Sequence, residues 1–406
     1  MNQVLVLNTG SSSIKYQLFD LSEAAGQRVL VAGVLEGIGE DGSKLTHRPA
    51  GAPPLTFEQS VADQSAGFDL IRQAFEQSGG MPTELAAIGH RVVHGGDRFS
   101  APTVIDDDVI AAVEGLTPLA PLHNPSNLAG IRLARRLYPD VAQVAVFDTA
   151  FHSTMPATAY RYALPEELTN RLGIRRYGFH GTSHGYVSRL AAAHLGRELS
   201  ELKLITLHLG NGASVAAVDG GRSVDTSMGM TPLEGLVMGS RSGDLDPAIV
   251  LYLQREGGLS VDDVDSLLNR GSGLKGLAGS NDVRDLTERA AAGDEVADQA
   301  LKIFAYRIRK YVGAYAVVLG RLDGLVFTAG VGQNSARVRE LVCSGLEILG
   351  VQLDSDLNEG KGAVASGRDR SQPQLISTAG SRVPVLIVPT DEELEIAQQA
   401  LAVISR

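Results

Sequence analysis

Two segments of this chain, residues 4–20 and 204–220, share one layout of an apolar strand, a small polar turn and a second alternating strand. Each half of the sequence therefore opens with a β-hairpin, and the turns, which are rich in Gly, Ser or Asn, begin at Gly10 and Gly210. Backbone N–H groups and hydroxyls that converge at such turns suit a phosphate chain. The alternative is two ordinary hairpins with small turn residues. Two copies in matching places favour a duplicated fold that holds one phosphorylated ligand between its halves.

Length and composition limit what such a fold can be. A chain of 406 residues is too long for one compact core and suits two domains of about 200 residues each. With 44% hydrophobic and 20% charged residues, the chain is globular rather than disordered. No apolar run approaches the roughly 20 residues that span a bilayer. The net charge of −11 argues against nonspecific nucleic-acid binding, so we expect neither a membrane nor a nucleic-acid partner.

The cysteine content and the start of the chain indicate the compartment. The single cysteine, Cys343, excludes an internal disulfide framework and zinc sites built from cysteines. The first residues enter a strand without a basic segment, so we expect no signal peptide. These features favour a cytoplasmic enzyme. An anionic substrate stays compatible with the acidic chain, because local basic residues determine which charge a site accepts.

Strand-like and helical runs alternate along the whole chain, which is typical of an α/β protein. Apolar runs predict strands at residues 28–35, 85–93, 141–147, 322–329 and 383–388. Amphipathic runs predict helices at residues 65–77, 124–137, 246–256, 262–269, 295–319 and from 336 to about 349. We place a domain boundary near residue 150 and expect the C-terminal helix to pack back on the first domain.

Polar residues in the first half suit phosphate and carboxylate ligands. Ser11, Ser13 and Lys15 share one face of the first hairpin, which suits a phosphate or a magnesium phosphate. Arg91 ends a buried strand, where α/β proteins bind ligands, and its planar guanidinium suits a carboxylate or phosphate. Asp148 ends an all-apolar strand, where an acid is costly unless it is paired or holds a cation. The structural alternatives are an exposed lysine, a paired arginine and an N-cap aspartate.

The second half adds candidates for phosphoryl transfer. His180 and His184 are four residues apart, but no HExxH pattern or third ligand supports zinc, so a histidine donating to a phosphoryl oxygen is preferred over zinc. A structural histidine is the alternative. Arg241 lies in a glycine-flanked loop and fits charge stabilisation during phosphoryl transfer. Residues 280–285 and 330–335 are predicted to be polar turns that enter helices. The second turn follows a strand, so its backbone N–H groups suit a nucleotide.

Two common nucleotide-binding patterns are excluded. Residues 271–276 match GxGxxG, but they follow a helical segment rather than a strand, so the dinucleotide-binding interpretation fails. No GxxxxGK[ST] pattern occurs, so the chain is not a P-loop enzyme.

Together these segments resemble the acetokinase family of the acetate and sugar kinase, Hsp70 and actin superfamily. The resemblance runs the length of the chain and rests on eleven ordered motifs: LVLNTGSSSIKY, GHRVVHGG, PLHNP, FDTAFH, YGFHGTSH, HLGNGAS, DTSMGMTPLEGL, GSRSGDLDP, SNDVRD, FTAGVGQNS and PTDEEL. It implies an α/β fold of two duplicated actin-like ATPase (ribonuclease H-like) domains with a central active-site cleft. The domains would be residues 1–150 and 151–391, with a helix at about 392–406 packed back on the first.

The resemblance also implies roles for individual residues. The catalytic residues would be Asp148, His180 and Arg241, and the magnesium ligands would be Asn8 and Glu392. The substrate contacts would be Arg91, Val93, Leu122, His123, Phe179 and Pro232. With Ser11 and Ser13 from the hairpin, the nucleotide and phosphate contacts would be Lys15, His208, Leu209, Gly210, Asn211, Gly212, Asp282, Val283, Arg284, Gly330, Val331, Gly332, Gln333 and Asn334. Because Val93 follows Arg91 by two residues on the predicted strand, we expect both side chains to point the same way.

Two positions depart from the family pattern. Gln333 stands where the family has an acid, which removes a negative charge beside the nucleotide. Asp391 stands where the family has an asparagine, which adds a negative charge near the implied magnesium site. The family pattern therefore predicts the phosphoryl transfer more firmly than it predicts the preferred nucleotide base or the affinity for the metal.

The resemblance implies an acetate kinase, which transfers a phosphoryl group reversibly from ATP to acetate and gives acetyl phosphate and ADP. It implies Mg²⁺ (or Mn²⁺) as the metal and a homodimer as the assembly. Two alternatives stay open: a propionate or butyrate kinase of the same family, and an ATP-driven switch of the Hsp70 or actin type. A switch needs no carboxylate site, so an apolar pocket beside Arg91 would discriminate against it.

Overall fold

A computed structural model describes residues 2–22, 28–121, 123–361 and 369–405. The strands of the described residues are β1 Gln3–Thr9, β2 Ser13–Asp20, β3 Arg28–Glu36, β4 Ser43–Pro49, β5 Leu55–Gln59, β6 Leu85–Val92, β7 Thr103–Val104, β8 Gln143–Phe147, β9 Lys203–Leu209, β10 Ala213–Asp219, β11 Arg222–Thr226, β12 Gly324–Thr328, β13 Gln374–Leu375 and β14 Val385–Ile387.

The helices are α1 Gln64–Gln77, α2 Asp107–Gly115, α3 Asn124–Leu137, α4 Ala157–Tyr160, α5 Glu166–Leu172, α6 Gly181–His194, α7 Pro247–Arg255, α8 Val261–Arg270, α9 Gly273–Ala278, α10 Val283–Ala291, α11 Glu295–Leu319, α12 Ala329–Asn334, α13 Ala336–Cys343, α14 Ser355–Glu359 and α15 Glu392–Ile404. Short 3-10 turns in the described part of the chain lie at Thr117–Leu119, Ala150–Thr154, Leu199–Glu201 and Glu347–Leu349. None of the described helices combines the length and apolar character that a transmembrane span requires.

The chain divides into two compact units. Unit 1 contains Met1–Ala150 and Asp391–Arg406, and unit 2 contains Phe151–Thr390. Unit 1 is built on a sheet of the order β5-β4-β3-β2-β1-β6-β8-β7, and unit 2 on a sheet of the order β11-β10-β9-β12-β14-β13. Both sheets contain the same kernel, in which three antiparallel strands are followed by two parallel strands.

Both faces of the unit 1 sheet are covered by apolar layers. One face packs against α1 and α3, because β1 and β2 direct side chains such as Leu7, Ile14 and Tyr16 to that side. The other face packs against α15, whose Ile396 and Ala400 are buried. In unit 2, α6 covers β9 and β12 on one face. The alternation of side chains along each strand therefore determines which residues can face which helix.

Helix ends follow local signals in the sequence. The helix α3 begins at Asn124 with Pro125 in its first turn, where the missing proline N–H costs no hydrogen bond. The longest helix, α11, begins after Asp294, whose side chain accepts from two backbone N–H groups, and ends at Gly320 in the left-handed region. Both helices have the predicted bounds.

Two predicted elements near the C-terminus are wrong. The polar turn expected at residues 330–335 is the short helix α12, and its first residue, Ala329, has a φ of 62°. The helix expected to run to about residue 349 ends at Cys343 instead. A 3-10 turn follows after Gly345, whose φ of 87° an α-helix does not accept.

Candidate active site

The strands β1, β6 and β8 bring three candidate residues to one face of the unit 1 sheet. Their alternate side chains pack on α15, and this layer contains Val4, Val6, Ala87, Val144, Val146, Ile396, Ala397 and Ala400. The same alternation places Asn8, Arg91 and Asp148 on the α15 face at the carboxyl ends of the strands. Asp148 stays in line with β8, because its N–H donates to the Val92 carbonyl at 3.0 Å.

Arg91 and Asp148 form a bidentate ion pair. The Arg91 Nε donates to Oδ1 of Asp148 at 3.0 Å, and Nη2 donates to Oδ2 at 2.7 Å. The Asp148 side chain is 2% exposed and the Arg91 side chain 22% exposed. Burial disfavours the guanidinium charge, but Asp148 and Glu392 outweigh burial and raise the pKa of Arg91. Nη1 of Arg91 has no hydrogen-bond partner among the described residues, so the pair leaves donors for an anionic ligand.

Glu392 is the first residue of α15 and belongs to the same cluster. Its Oε2 lies 4.0 Å from the Arg91 Nε. Burial raises the pKa of Glu392, which Arg91 and Lys15 partly oppose. The preceding Asp391 caps the helix, because its side chain accepts from the Leu394 N–H at 2.9 Å. Asp and Asn are similarly good N-caps, so the family's asparagine and the Asp391 of this chain can serve the same structural purpose.

The first hairpin adds a cation and an amide to this cluster. Lys15 pairs with Asn8 across the hairpin, and its positive charge acts on Glu392. The turn between the strands is closed by a 2.8 Å hydrogen bond from the Gly10 N–H to the Ser13 carbonyl. Ser11 is exposed and Ser13 is partly buried. The structure therefore groups Asn8, Lys15, Arg91, Asp148 and Glu392 within unit 1.

The other substrate contacts predicted in unit 1 follow β6 or precede α3. Val93 lies one residue beyond the end of β6 and is buried, and its direction relative to Arg91 stays a prediction. Its N–H donates to Oδ1 of Asn127 at 3.1 Å. His123 is the residue before α3 and is partly buried. Leu122 lies outside the described residues.

Unit 2 repeats these sheet positions with different residues. Asn8 faces Lys15 across its hairpin, and His208 faces Ser214 across the corresponding hairpin. Thr328 lies opposite His208 on β12, at the position that Arg91 takes when the β1–β6 register is extended by one residue. The matching edge in unit 2 thus carries imidazole and hydroxyl groups where unit 1 carries an amide and two cations.

Stacked imidazoles lie at the start of α6. His180 precedes the helix with a φ of 56°, a left-handed conformation that is uncommon outside glycine. Its ring stacks on that of His208, with centroids 4.1 Å apart and an interplanar angle of 17°. Nδ1 of His208 lies 2.8 Å from the Ser183 hydroxyl, which bonds to the Thr390 hydroxyl at 2.9 Å. These contacts fix both rings at the edge of the sheet.

Arg241 is partly buried and has no acidic partner among the described residues. Its Nη1 donates to the Pro232 carbonyl at 3.2 Å and lies 3.8 Å from Sδ of Met238. Burial lowers the pKa of Arg241. A partly buried guanidinium without a counter-charge is well suited to neutralise the charge of a bound anion. The neighbouring Phe179 is only 2% exposed, and its carbonyl accepts from Nε2 of His152.

His180 and Arg241 converge on the turn between β9 and β10. A Cβ at Gly212 would lie 3.5 Å from Nη1 of Arg241 and 3.6 Å from Nε2 of His180. These are ordinary contact distances, so sterics alone do not exclude a side chain at Gly212. Nη1 of Arg241 and Nε2 of His180 both lie beside the space next to the glycine. Two nitrogen donors that converge on one point are suited to stabilise a phosphoryl group.

Asp244, which the sequence interpretation did not single out, fixes the Arg241 loop. Its Oδ1 accepts from the Gly235 N–H at 2.8 Å, and its Oδ2 accepts from the Tyr311 hydroxyl at 2.9 Å. Arg307 completes the cluster with an ion pair of 3.2 Å. The signal for Asp244 in the sequence was weak. The residue lies within the motif GSRSGDLDP, but its partners on α11 are more than sixty positions away.

A cavity of about 1250 Å³ lies within unit 2. Its lining brings together predicted nucleotide contacts from three segments, namely Gly210, Asn211, Asp282, Val283, Arg284, Gly330, Val331 and Asn334. His208, Leu209, Gly212, Gly332 and Gln333 are not in the lining. Asp282 caps α10 and pairs with the exposed Arg284 at 2.9 Å. The cavity is large enough for a small-molecule ligand.

One wall of this cavity is fixed by Arg339, a second residue that the sequence interpretation missed. Arg339 is 3% exposed, and its guanidinium donates to the carbonyls of Gly332 and Gln333 at 2.9 Å. It also donates to both oxygens of Asn358 at 2.7 Å. Burial lowers the pKa of Arg339 to about 10. Gln333 thus faces Arg339 through its backbone carbonyl.

Comparison with known proteins establishes the family. Residues 3–398 match the acetokinase family. The chain belongs to the acetokinase family. The acetate kinase of Streptomyces coelicolor is 54% identical to this acetokinase family member over 406 residues, which are 99% of this chain and 97% of that protein.

Solved structures of an acetate kinase and a propionate kinase have the same fold. The acetate kinase of Porphyromonas gingivalis matches with a TM-score of 0.90 and 44% identity, over 99% of this chain and 100% of that one. The propionate kinase of Francisella tularensis matches with a TM-score of 0.90 and 40% identity, over the same shares. The predicted α/β fold class of two duplicated actin-like domains is confirmed by these matches and by the repeated kernel of the two sheets.

Proposed function

We propose that this chain transfers the γ-phosphoryl group of ATP to acetate, reversibly and with Mg²⁺, giving acetyl phosphate and ADP. As an acetokinase, it is a phosphotransferase with a carboxyl group as acceptor. The observation that carries the proposal is the Arg91–Asp148 pair, which presents unused guanidinium donors at the end of a buried strand. The functional domains we propose are residues 1–150 with the C-terminal helix, and residues 151–391.

Arg91 is proposed to bind the acetate carboxylate. Acetate is already ionised at pH 7, because carboxylic acids have pKa values near ~4. The reaction therefore needs no general base, and Asp148 is proposed to orient Arg91 rather than to take a proton. A bidentate carboxylate holds the guanidinium plane in one orientation, which fixes the direction of the remaining N–H donors. Val93, Leu122, His123, Phe179 and Pro232 stay proposed substrate contacts.

Asn8 and Glu392 are proposed to hold Mg²⁺. The donor chemistry fits this ion, because Mg²⁺ is usually held by one or two carboxylates, with waters and substrate phosphates completing its shell. In the described part of the chain, no three acidic, histidine or cysteine side chains form a cage for a metal, which agrees with such a sparse donor set. When bound, the ion would neutralise phosphate charge. Burial of Glu392 raises its pKa, and a cation would restore the charged form.

The nucleotide is proposed to occupy the cavity of unit 2. Gly210, Asn211, residues 282–284 and residues 330–334 are the proposed contacts, and Lys15, Ser11 and Ser13 are proposed phosphate contacts. His180 and Arg241 are proposed to stabilise the transferring phosphoryl group, because both direct nitrogen donors toward Gly212. Catalysis would then consist of positioning and charge neutralisation.

Acetate is the proposed substrate, and propionate is the second candidate because one similar structure is a propionate kinase. One methylene group is worth only about 1–3 kcal/mol in a pocket, so some turnover of propionate is expected. The acetokinase match gives no support to the ATP-driven switch. A coupled assay for ADP with acetate, propionate and butyrate tests the proposal. The highest kcat/KM is expected with acetate, and ATP turnover that does not depend on any carboxylate would contradict it.

A homodimer is also proposed, with α7 in its interface. This helix has no buried residue, and its Ile249, Leu251 and Tyr252 are 40%, 49% and 66% exposed. Apolar surface of this kind favours association. Sedimentation should show a dimer that Tyr252→Glu weakens, whereas a monomeric wild type would contradict the proposal. A cytoplasmic location is proposed from the lone buried cysteine, Cys343.

A further inference from the structure

Three buried polar side chains of unit 2 connect in series to His180. The Thr206 hydroxyl lies 2.7 Å from Nδ1 of His184, and Nε2 of His184 lies 2.8 Å from the Ser214 hydroxyl. The same Ser214 hydroxyl lies 2.9 Å from Nδ1 of His180. Thr206, His184 and Ser214 are each 0% exposed. Within the described residues, these contacts are all the hydrogen bonds that the hydroxyls of Thr206 and Ser214 make.

The number of hydrogens in this series is limited. Burial and the neighbouring His152 and His208 lower the pKa of His184 well below its ordinary value, so its ring is neutral near pH 7. A neutral imidazole has one N–H donor and one acceptor nitrogen, and each hydroxyl has one hydrogen. The series therefore has only two self-consistent directions.

In one direction, every hydrogen inside the series has an acceptor. Thr206 donates to Nδ1 of His184, Nε2 of His184 donates to Ser214, and Ser214 donates to Nδ1 of His180. The remaining hydrogen of a neutral His180 is then on Nε2. In the reverse direction, the Thr206 hydroxyl accepts from His184, and its own hydrogen has no acceptor among the described residues. A buried hydroxyl without an acceptor is costly, so the first direction is favoured.

We propose that Thr206, His184 and Ser214 form a directional hydrogen-bond relay that holds His180 with its hydrogen on Nε2. This nitrogen is the one that lies toward Gly212, close to Nη1 of Arg241. His180 would then donate to a phosphoryl oxygen without first being protonated. Ser214 and His184 are positioning residues in this account, because they act through His180. The mechanistic consequence rests on the proposed function, whereas the tautomer itself is a property of the folded chain.

The tautomer can be measured directly. The chain has nine histidines, and the His180 signals in a long-range ¹H–¹⁵N spectrum of the ¹⁵N-histidine protein can be assigned with His180→Gln. The expected wild-type tautomer carries the hydrogen on Nε2. Ser214→Ala removes the donor to His180, and Thr206→Val removes the far end of the series without touching His180. Both variants should populate the Nδ1–H tautomer to a larger extent than the wild type.

Kinetics supply a second readout. In Ser214→Ala, kcat for acetyl phosphate formation should fall roughly 10-fold, with the KM values for ATP and acetate changed by no more than about 2-fold. Thr206→Val should lower kcat by a smaller factor. Ser223→Ala is the matched control, because Ser223 is also fully buried and bonds Nδ1 of His152 at 2.8 Å. It should change neither kcat nor the His180 tautomer.

The possible results separate the relay from the function. A wild-type His180 with its hydrogen on Nδ1 overturns the relay, even where a variant does not fold. An unchanged tautomer and an unchanged kcat in both Ser214→Ala and Thr206→Val also overturn it. A wild type that has the Nε2–H tautomer but does not phosphorylate acetate supports the relay and contradicts the proposed function.

Discussion

The two sheets place different chemistry at equivalent positions. The unit 1 edge carries Asn8, Lys15 and Arg91, while the corresponding residues of unit 2 are His208, Ser214 and Thr328. The first set contains two cations and includes a bidentate pair with Asp148, whereas in the second set His208 and Ser214 bond to hydroxyl and imidazole groups. A duplicated fold can thus keep its backbone register while one copy acquires an ionic site and the other a network of imidazole and hydroxyl groups.

The two candidate arginines differ in the same way. Arg91 is neutralised in the free protein by Asp148, and Glu392 lies close by. Among the described residues, the hydrogen-bond acceptors of Arg241 are a carbonyl and a thioether. An arginine with an acidic partner stabilises that partner, while one without such a partner keeps its charge for a ligand. Loss of the two residues should therefore have similar effects on activity and different effects on stability.

The largest effects are expected for Arg91→Ala and Arg241→Ala. Both should lower turnover by about 10²–10³, because each removes a charge contact to the reacting groups. Only Arg91→Ala should also destabilise the fold, by about 3 kcal/mol, because Asp148 stays buried without its partner. Steady-state kinetics and urea unfolding measure the two effects. Arg72→Ala, which removes an exposed pair with Glu76, is the control. An equal free energy of unfolding for Arg91→Ala and Arg241→Ala would contradict the claim that only Arg91 stabilises a buried acidic partner.

The second effect concerns the point where His180 and Arg241 converge. Gly212→Ala should lower kcat by about 10-fold or more, because the added methyl group occupies the space beside both nitrogen donors. Its unfolding midpoint should stay near that of the wild type, since the methyl makes only ordinary contacts. Gly313→Ala on α11, where a Cβ meets nothing within 4 Å, is the matched control. Normal turnover in Gly212→Ala would place the phosphoryl group elsewhere.

Glu392→Gln should weaken the binding of Mg²⁺, because it removes a carboxylate from the charged cluster of unit 1. A buried carboxyl with a raised pKa is protonated at a pH where an exposed one, with a pKa of 4.5, is ionised. Metal affinity should therefore fall as pH decreases toward that raised pKa, and this dependence should disappear in Glu392→Gln. The raised pKa also means that ionised Glu392 costs stability above pH 4.5, so the metal-free variant should melt higher at pH 7. A lower Tm at pH 7 would contradict this.

The smallest effect is expected at Val93. Val93→Ala should raise the ratio of kcat/KM for propionate over acetate by roughly 10-fold, because removal of two carbons makes room for one methylene. The two substrates should be measured side by side in the same preparation. Because Val93 lies beyond β6, an unchanged ratio would identify it as core packing rather than as a wall of the acyl pocket.

The parts that the sequence could predict depend on short-range signals. The repeated hairpins, α3 and α11 follow from alternation, caps and helical periodicity within a few turns. Arg91 and Asp148 could each be chosen as site candidates from their own sequence positions, but their pairing across 57 positions could not be predicted. Nothing near Arg91 in the sequence indicates which acid will neutralise it.

The parts that could not be predicted depend on tertiary contacts. The segment after β12 was interpreted as a turn because it is rich in glycine, yet α12 forms where Arg339 binds two of its carbonyls. The relay of Thr206 and Ser214 was hidden within apolar strands, because a lone hydroxyl among valines and leucines has no distinct pattern. Its partner His184 was recognised only by its spacing from His180.

The central claim is that Arg91 in unit 1 binds acetate, whereas unit 2 binds ATP. It is tested most directly by comparing the wild type with Arg91→Lys. The measurement is the initial rate of acetyl phosphate formation at varied concentrations of acetate and ATP. Lysine keeps the charge of Arg91 but loses the planar pair with Asp148 and the fixed donors. The account predicts that KM for acetate rises by about 10-fold or more, while KM for ATP changes by no more than about 2-fold. An equal rise in both KM values, or a rise for ATP alone, would contradict it.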